Sequence, residues 1–344
     1  MEPTLQRPER DRSVDAARGI AIVAIVLGHV ERGLASAGVL ALDQAVPLDR
    51  LVYLLHLSTF AYLSGLFVRR AVEREGPRRL MARRLTLFTW LYLLWTLVQG
   101  TVRVVASSLA NTPVTFADVA RIWIPEGQLW FLPWLVAVTA VAAVARPWCD
   151  RQRAVLLLVV SGMLAIVVWG YDPVYVFTRG WALLLPFLVG TLVTARGHAA
   201  VAQRVLPMAT VALVGGLVWV WIGLGTAAVP PTTGGEMRTA TTVALGIAGC
   251  LAGTVAALSV AALLVRTPFV APLAAVGRRS LEIFLAHIVV AAGVRIVLVR
   301  IGVDDPVVLL AAGTVLGVLV PMAASVVAAR AGWTWLFGLP RALA

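Results

Sequence analysis

Long apolar stretches alternate with short polar segments along the whole chain. Ten of these stretches approach the roughly 20 residues that an α-helix needs to cross the hydrocarbon core of a bilayer. They fall at about 16–34, 51–68, 85–105, 129–145, 154–170, 181–195, 205–225, 240–265, 280–300 and 306–329. Residues 31–50 carry several charges and are predicted to form a loop with room for a short helix. The pattern therefore predicts an all-α, polytopic membrane protein with about ten transmembrane helices.

The composition leads to the same class of protein. Of 344 residues, 60% are hydrophobic and 13% are charged, and the mean hydropathy is +0.90. An ordinary soluble chain is about half apolar and a quarter charged, so this chain has too little polar surface to cover a water-soluble globule. Soluble enzymes, disordered chains and secreted disulfide scaffolds are therefore excluded. We expect a single integral-membrane domain over residues 1–344, with its core at about 13–330 and a short polar tail at 1–12.

The basic charge predicts how the helices are oriented. All 29 basic residues are arginines, and with 17 acidic residues they give a net charge of +12. In a membrane protein, such an excess is typical of the positive-inside rule, and no nucleic-acid partner is expected. With the N-terminus inside, 21 arginines fall in inner segments and 7 in outer segments, and Arg295 lies within a span. This distribution predicts that both termini lie in the cytoplasm.

The two cysteines do not indicate a disulfide or a metal site. Cys149 and Cys250 are far apart in sequence, and Cys250 lies in an apolar run. Their number and spacing match neither a disulfide framework nor a set of metal ligands. We therefore expect no bound metal.

Ionisable residues within spans are costly, so each is a candidate functional group. Arg18 and His29 lie eleven residues apart in the first span, which places them on one helix face and about 16 Å apart along the axis. Asp15 precedes Arg18 by three residues and can pair with it. The face offers a fixed cation at the cytoplasmic surface and an imidazole deeper in the membrane. An interfacial ion pair and a packed histidine are the structural alternative.

The second span carries a further histidine and a serine. His56 lies in its outer half, and Ser64 precedes Gly65 near its inner end. A serine can act as a nucleophile when a base activates it. A small-residue pair such as Ser64-Gly65 also allows close helix packing, and the spacing leaves both interpretations open.

A dense basic segment follows this span. It contains Arg69, Arg70, Arg74, Arg78, Arg79, Arg83 and Arg84. Seven arginines are more than orientation requires. They offer binding groups for the phosphates of a cytosolic ligand or of anionic lipid, and orientation alone is the alternative.

Two later spans add candidates. Trp130 lies at the outer start of the fourth span, where tryptophan is also common as an interfacial residue. Glu282 follows Arg278 and Arg279 by four and three residues, which predicts an interfacial ion pair. His287 lies deeper in the same span, on a different helix face from Glu282.

Together these residues resemble the membrane-bound acyltransferase family 3, the O-acyltransferases of bacterial polysaccharides. The first span matches the family signature of Arg or Lys, ten residues and His, with Arg18 and His29 in those positions. Asp15 stands where the family usually has an acid before the signature.

Three further segments extend the resemblance, especially to the fucose 4-O-acetylase-like branch. His56–Gly65 matches the branch pattern His-Met-Pro-Leu-Phe-Phe-Phe-x-Ser-Gly, with Ser58 where proline is usual. Leu129–Leu132 and Ser280–His287 match two later motifs. The resemblance covers about residues 13–330, nearly the whole chain.

The resemblance implies the transfer of an acyl group, commonly acetyl, from cytosolic acyl-CoA to a sugar hydroxyl on the outer side of a bacterial cell membrane. Acyl-CoA is then a co-substrate, and no cofactor is bound permanently. The implied donor-binding residues are Arg18, Arg69, Arg70, Arg83 and Arg84, whose charges suit the CoA phosphates. His29 is the implied general base, with further catalytic candidates at His56, Ser64 and His287 and supporting residues at Asp15, Trp130 and Glu282.

Other functions fit the same spans. A transporter of an anionic substrate, or a flippase without acyl-transfer chemistry, also places polar residues at mid-membrane. Within the acyltransferase interpretation, direct transfer and an acyl-enzyme route both remain open. The acceptor is a sugar, a glycan or a glycosylated small molecule.

Overall fold

The computed structural model of the protein describes residues 11–106 and 114–340. Of these described residues, 80% are helical and none lies in a strand. Ten of their helical segments are long and apolar enough to cross a membrane. The prediction of an all-α protein with about ten transmembrane helices is confirmed, and the orientation of its ends stays a prediction.

Fourteen α-helices form this described part of the chain. They are α1 (Arg12–Ser36), α2 (Leu42–Tyr53), α3 (His56–Gly65), α4 (Val68–Glu75), α5 (Pro77–Val105), α6 (Phe116–Val119), α7 (Phe131–Ala145), α8 (Arg151–Val168), α9 (Leu184–Ala202), α10 (Val205–Gly225), α11 (Ala240–Leu264), α12 (Val270–Arg278), α13 (Ser280–Arg300) and α14 (Pro306–Arg330). Helices α2, α3 and α4 together form the second span, and α6 and α12 lie between spans. A 3₁₀ turn at Gly127–Trp130 extends the span of α7.

The second span is longer than the sequence predicts. It runs over Leu42–Glu75, whereas the apolar pattern gives 51–68. The charges at 31–50 suggest a loop, but Arg32 donates hydrogen bonds to Asp49 over 2.5 and 3.0 Å. Because this pairing neutralises both side chains, α2 can pack against the end of α1.

A break between α2 and α3 shapes the middle of this span. Residues 54–55 separate the two helices. Across this break, the His56 side chain donates a hydrogen bond from its Nδ1 to the Val52 carbonyl oxygen at 2.7 Å. The Ser58 hydroxyl lies 2.8 Å from the Thr254 hydroxyl in α11. This serine therefore links α3 to α11.

Helix α1 is the centre of the fold. It packs against α2, α3, α11, α12, α13 and α14, and more than half of its residues are buried. By contrast, α8 and α10 expose large apolar side chains such as Met163, Leu206 and Trp221. Such surfaces are stable only against lipid, so α8 and α10 lie at the periphery of the bundle.

Two close helix crossings depend on glycine. A Cβ on Gly65 in α3 would lie 2.1 Å from the Phe187 carbonyl oxygen of α9, and one on Gly190 would lie 2.2 Å from the Tyr62 carbonyl oxygen. These contacts fit the packing interpretation of Ser64-Gly65. A second crossing joins α1 to α12, where Gly277 meets the backbone of α1.

Replacing Gly277 by alanine should destabilise the bundle. The added methyl group would lie 1.8 Å from the Asp15 carbonyl oxygen, so α12 must move away from α1. Overpacking of this kind costs about 1–3 kcal/mol. Gly293→Ala is the matched control, since nothing lies within 4 Å of a Cβ at that position. Thermal unfolding in detergent should show a lower Tm for Gly277→Ala alone, and equal Tm values for the two variants would contradict this packing.

Candidate functional site

A cavity of about 260 Å³ lies beside α1, close to the break between α2 and α3. Its wall also includes residues from the 3₁₀ turn before α7, from the segment before α9 and from α13. The polar and aromatic residues of the wall include His29, Arg32, His56, Gln128, Trp130 and Arg179. These six side chains come from four separate parts of the chain: α1, α3, the 3₁₀ turn and the segment before α9.

His29 reaches this cavity from α1, and the residue before it has no side chain. A Cβ on Gly28 would lie 3.0 Å from Val52 and 3.4 Å from Tyr53, so glycine lets the end of α2 approach His29. The His29 ring lies 5.2 Å, centroid to centroid, from the ring of His287 in α13. Three predicted catalytic histidines, those at positions 29, 56 and 287, thus lie around one site.

His287 is held in one tautomer. Its Nδ1 lies 2.9 Å from the Ile283 carbonyl oxygen and 3.0 Å from the Phe284 carbonyl oxygen. A carbonyl only accepts, so Nδ1 carries the proton and Nε2 holds a lone pair. This Nε2 is buried and has no hydrogen-bond partner among the described residues. His287 therefore offers an acceptor nitrogen next to His29.

His56 is fixed in the same way. Its Nδ1 donates to the Val52 carbonyl oxygen at 2.7 Å, and its ring packs edge-on against Tyr53 with 4.6 Å between the centroids. The ring is buried, yet it lines the cavity. His56 is thus a second imidazole whose Nε2 is available as an acceptor or base.

Arg32 forms part of the cavity wall, although its place in the sequence, among the charges at 31–50, predicts only a loop. Its guanidinium pairs with Asp49 and lies 3.7 Å above the Tyr53 ring centroid. One signal could have found it: Arg32 follows His29 by three residues, which places both on one face of α1.

Arg179 forms a similar unit across the cavity. It pairs with Asp172, and its guanidinium lies 5.3 Å from the Trp130 ring centroid. Trp130, predicted as a supporting residue, lines the cavity. No sequence spacing relates Arg179 to the histidines, because it precedes α9 in a connecting segment.

Gln128 is a third cavity residue, after Arg32 and Arg179, that the sequence pattern does not predict. It is 3% exposed, and its Nε2 donates to the Phe284 carbonyl oxygen at 2.9 Å, the same oxygen that accepts from His287. Its Oε1 is buried without a partner among the described residues. An unsatisfied buried acceptor costs about 1–3 kcal/mol, so this oxygen indicates a place for a ligand hydroxyl or a water molecule.

Other predicted residues lie away from this cavity. Ser64 does not line it and lies at the crossing of α3 and α9. The Asp15 carboxylate is buried 3.9 Å from the Arg278 guanidinium. The Glu282 carboxylate lies 3.9 Å from Arg279, as the spacing predicts. These contacts join α1, α12 and α13 rather than form the site.

The basic segment is partly neutralised by its own acids. Arg69 pairs with Glu73 at 2.8 Å, and Arg83 pairs with Glu75 at 2.9 Å. With these two glutamates among the seven arginines, residues 69–84 carry a formal charge of +5. Surface pairs of this kind are weak, so a phosphate can still displace them.

The remaining predicted donor-binding arginines differ in their freedom. Arg84 donates to the Thr139 hydroxyl at 2.6 Å and holds α5 against α7. Arg18 lies 4.9 Å from the Phe67 ring centroid, directly before α4. Arg70, one turn after Phe67, is exposed and has no ion pair or hydrogen bond with a described residue. Arg70 is therefore better placed than Arg84 to bind a ligand.

Comparison with known proteins agrees with the geometry. A family model described as an acyltransferase domain (Acyl_transf_3) matches residues 11–326, which include every residue of the cavity wall. No curated protein and no solved structure matches the chain. The match covers nearly the whole chain but does not resolve the fucose 4-O-acetylase-like branch. The chain therefore belongs to the acyltransferase 3 family, and it is a membrane acyltransferase.

Proposed function

We propose that this acyltransferase moves an acyl group, acetyl or another short acyl chain, from cytosolic acyl-CoA to a hydroxyl of a sugar, a glycan or a glycosylated small molecule at the cell membrane. One observation carries the proposal: His29 and His56 line one cavity together with Gln128 and two arginines, each of which is paired with a carboxylate outside the wall. A base and several hydrogen-bonding groups around one space are what the acylation of a hydroxyl requires.

The cavity wall favours a neutral, hydroxyl-rich acceptor. Arg32 is paired with Asp49 and Arg179 with Asp172, so neither arginine brings an uncompensated charge to the site. Each arginine in such a pair keeps spare N–H donors, which suit the several hydroxyls of a sugar. Trp130 adds an aromatic face for the ring. The volume of about 260 Å³ is at the low end for ligand pockets, so one sugar ring of a larger acceptor would enter.

The donor approaches from the other end of α1. Arg18 lies three helical turns, about 16 Å, from His29 on the same helix. Arg18 and Arg70 attract the CoA phosphates, and the pantetheine arm extends along α1 and brings the thioester to His29. The donor and the acceptor thus meet at one imidazole from opposite ends of the helix.

In direct transfer, His29 removes the proton of the acceptor hydroxyl while its oxygen attacks the thioester carbonyl carbon. The new C–O bond forms, the C–S bond breaks, and the departing CoA thiolate takes the proton from His29. As the imidazolium forms, its second N–H turns to the unpartnered Nε2 of the neighbouring His287, which stabilises the cation. Gln128 positions the acceptor by accepting a hydrogen bond from a second hydroxyl through its Oε1.

Replacing His29 by glutamine should abolish transfer, because glutamine keeps hydrogen-bonding capacity and approximate size but cannot carry a proton near neutral pH. Loss of a general base costs about 10²–10⁴ in rate. Purified protein would be given acetyl-CoA and a panel of free hexoses, and free thiol and acetylated sugar would be measured. Thiol release that depends on the sugar also separates acyl transfer from a transporter or flippase.

His198→Gln is the matched control for this variant. His198 is also a buried histidine, but it lies in α9 beside the Tyr62 hydroxyl and does not line the cavity. It should keep wild-type turnover. A His29→Gln protein that retains more than about a tenth of wild-type turnover would contradict the general-base role.

Replacing Gln128 by methionine should weaken acceptor binding and leave donor binding unchanged. The variant loses Oε1, and one lost hydrogen bond of about 0.5–1.5 kcal/mol raises the acceptor KM about two- to tenfold. Gln99→Met is the matched control, because Gln99 is buried, donates to the next carbonyl of α13, that of Leu285, at 2.8 Å, and does not line the cavity. A similar change of the acceptor KM in both variants would mean that Gln128 only holds α13 in place and does not bind the acceptor.

A further inference from the structure

A second cavity of about 170 Å³ adjoins the site, and its wall differs in chemistry from the first. Its aliphatic lining consists of Val30, Leu34, Ile288, Ala291, Ala292 and Leu309. In the described part of the chain, His29 is the one residue that lines both cavities. The same imidazole therefore faces a polar space and an apolar one.

The spacing of these residues gives the direction of the apolar cavity. On α13, Ile288, Ala292 and Arg295 recur every three to four residues and share one helix face. On α1, His29 and Gly33 are one turn apart and face them. The cavity is therefore a slot between α1 and α13, about 10 Å long, that runs from His29 away from the Arg18 end of α1.

We propose that this slot is an acyl-chain site, which binds the hydrocarbon part of the donor and selects acyl groups of about four to six carbons. The proposal rests on the proposed function, because it needs an acyl-CoA whose thioester lies at His29. The arm of such a donor arrives from the Arg18 end, so a chain beyond the thioester carbonyl continues in the direction of the slot. The acyl carbon exchanges its bond to sulfur for a bond to the acceptor oxygen, and the chain stays in place during this step.

The volume supports this range of chain length. An apolar cavity of about 150 Å³ binds benzene, a ligand of six carbons, and stays dry without it. A slot of about 170 Å³ matches a chain of four to six carbons and is mostly unfilled by the single methyl group of acetyl. A hydroxyl-rich acceptor finds few partners in this aliphatic wall, so the polar cavity remains its place.

Arg295 sets the upper limit of the chain. Its guanidinium lies at the far end of the slot and donates to the Gly33 carbonyl oxygen at 3.2 Å. A longer hydrocarbon chain would press against this cation and remove it from its polar contacts, which is unfavourable. Affinity should therefore rise from two to six carbons and fall for eight.

The test measures the binding of acetyl-, butyryl-, hexanoyl- and octanoyl-CoA to purified protein in detergent, without an acceptor. Each buried methylene contributes about 0.8 kcal/mol, so butyryl-CoA should bind at least tenfold more tightly than acetyl-CoA. Ala292→Leu fills the slot and should remove this advantage while acetyl-CoA binding is kept. Ala311→Leu, an exposed position on α14 outside the slot, is the matched control and should bind like the wild type.

The outcomes separate this inference from the proposed function. Equal affinities for all four thioesters, or a preference for butyryl-CoA that persists in Ala292→Leu, would overturn the acyl-chain site. Acyl-CoA would then still be the donor. Absence of binding for every thioester would overturn both, because the proposed donor itself would be wrong. Thermal unfolding of both variants shows whether they are folded. If Ala292→Leu is unfolded, Ala292→Val replaces it, and this smaller side chain should reduce the preference for butyryl-CoA over acetyl-CoA without removing it.

Discussion

The cost of leaving a polar group unpaired in hydrocarbon governs this structure. The carboxylate of Asp49 allows Arg32 to sit beside a membrane span, and backbone carbonyls of α2 and α13 hold the histidines in fixed tautomers. Some buried side-chain atoms stay unsatisfied, and two of them, the Oε1 of Gln128 and the Nε2 of His287, lie beside the cavity or beside His29. The need to satisfy polar groups thus organises the fold, and these two exceptions lie where we propose the chemistry.

Helix α1 connects the parts of this account. It is the most central helix, it carries Arg18 at one end and His29 towards the other, and its glycines admit the neighbouring helices closely. His29 lies where the two cavities meet, the one that we propose for the hydroxyl and the slot that we propose for the acyl chain. A rigid, buried helix is suited to hold a base between two substrates, because small displacements of the reacting groups strongly reduce the rate.

The sequence predicts the spans well, because apolar runs of membrane length have few alternative structures. It does not predict the break at 54–55, since no proline or glycine marks it, and it places the start of the second span too late because the pairing of Arg32 with Asp49 joins residues 17 apart. The meeting of His29 with His287 depends on helix packing, which no periodicity records. Gln128 escapes notice because an amide next to an aromatic motif carries no charge.

The most direct measurement of the central claim is transfer across a membrane by the purified protein in oriented proteoliposomes. An acyl-CoA and a free sugar, neither of which crosses the bilayer, are supplied on chosen sides, and acylated sugar is measured by mass spectrometry. The account predicts product only when the acyl-CoA is on the side of the Arg18 end of α1 and the sugar is on the opposite side. Product formed only with both substrates on the same side would contradict it.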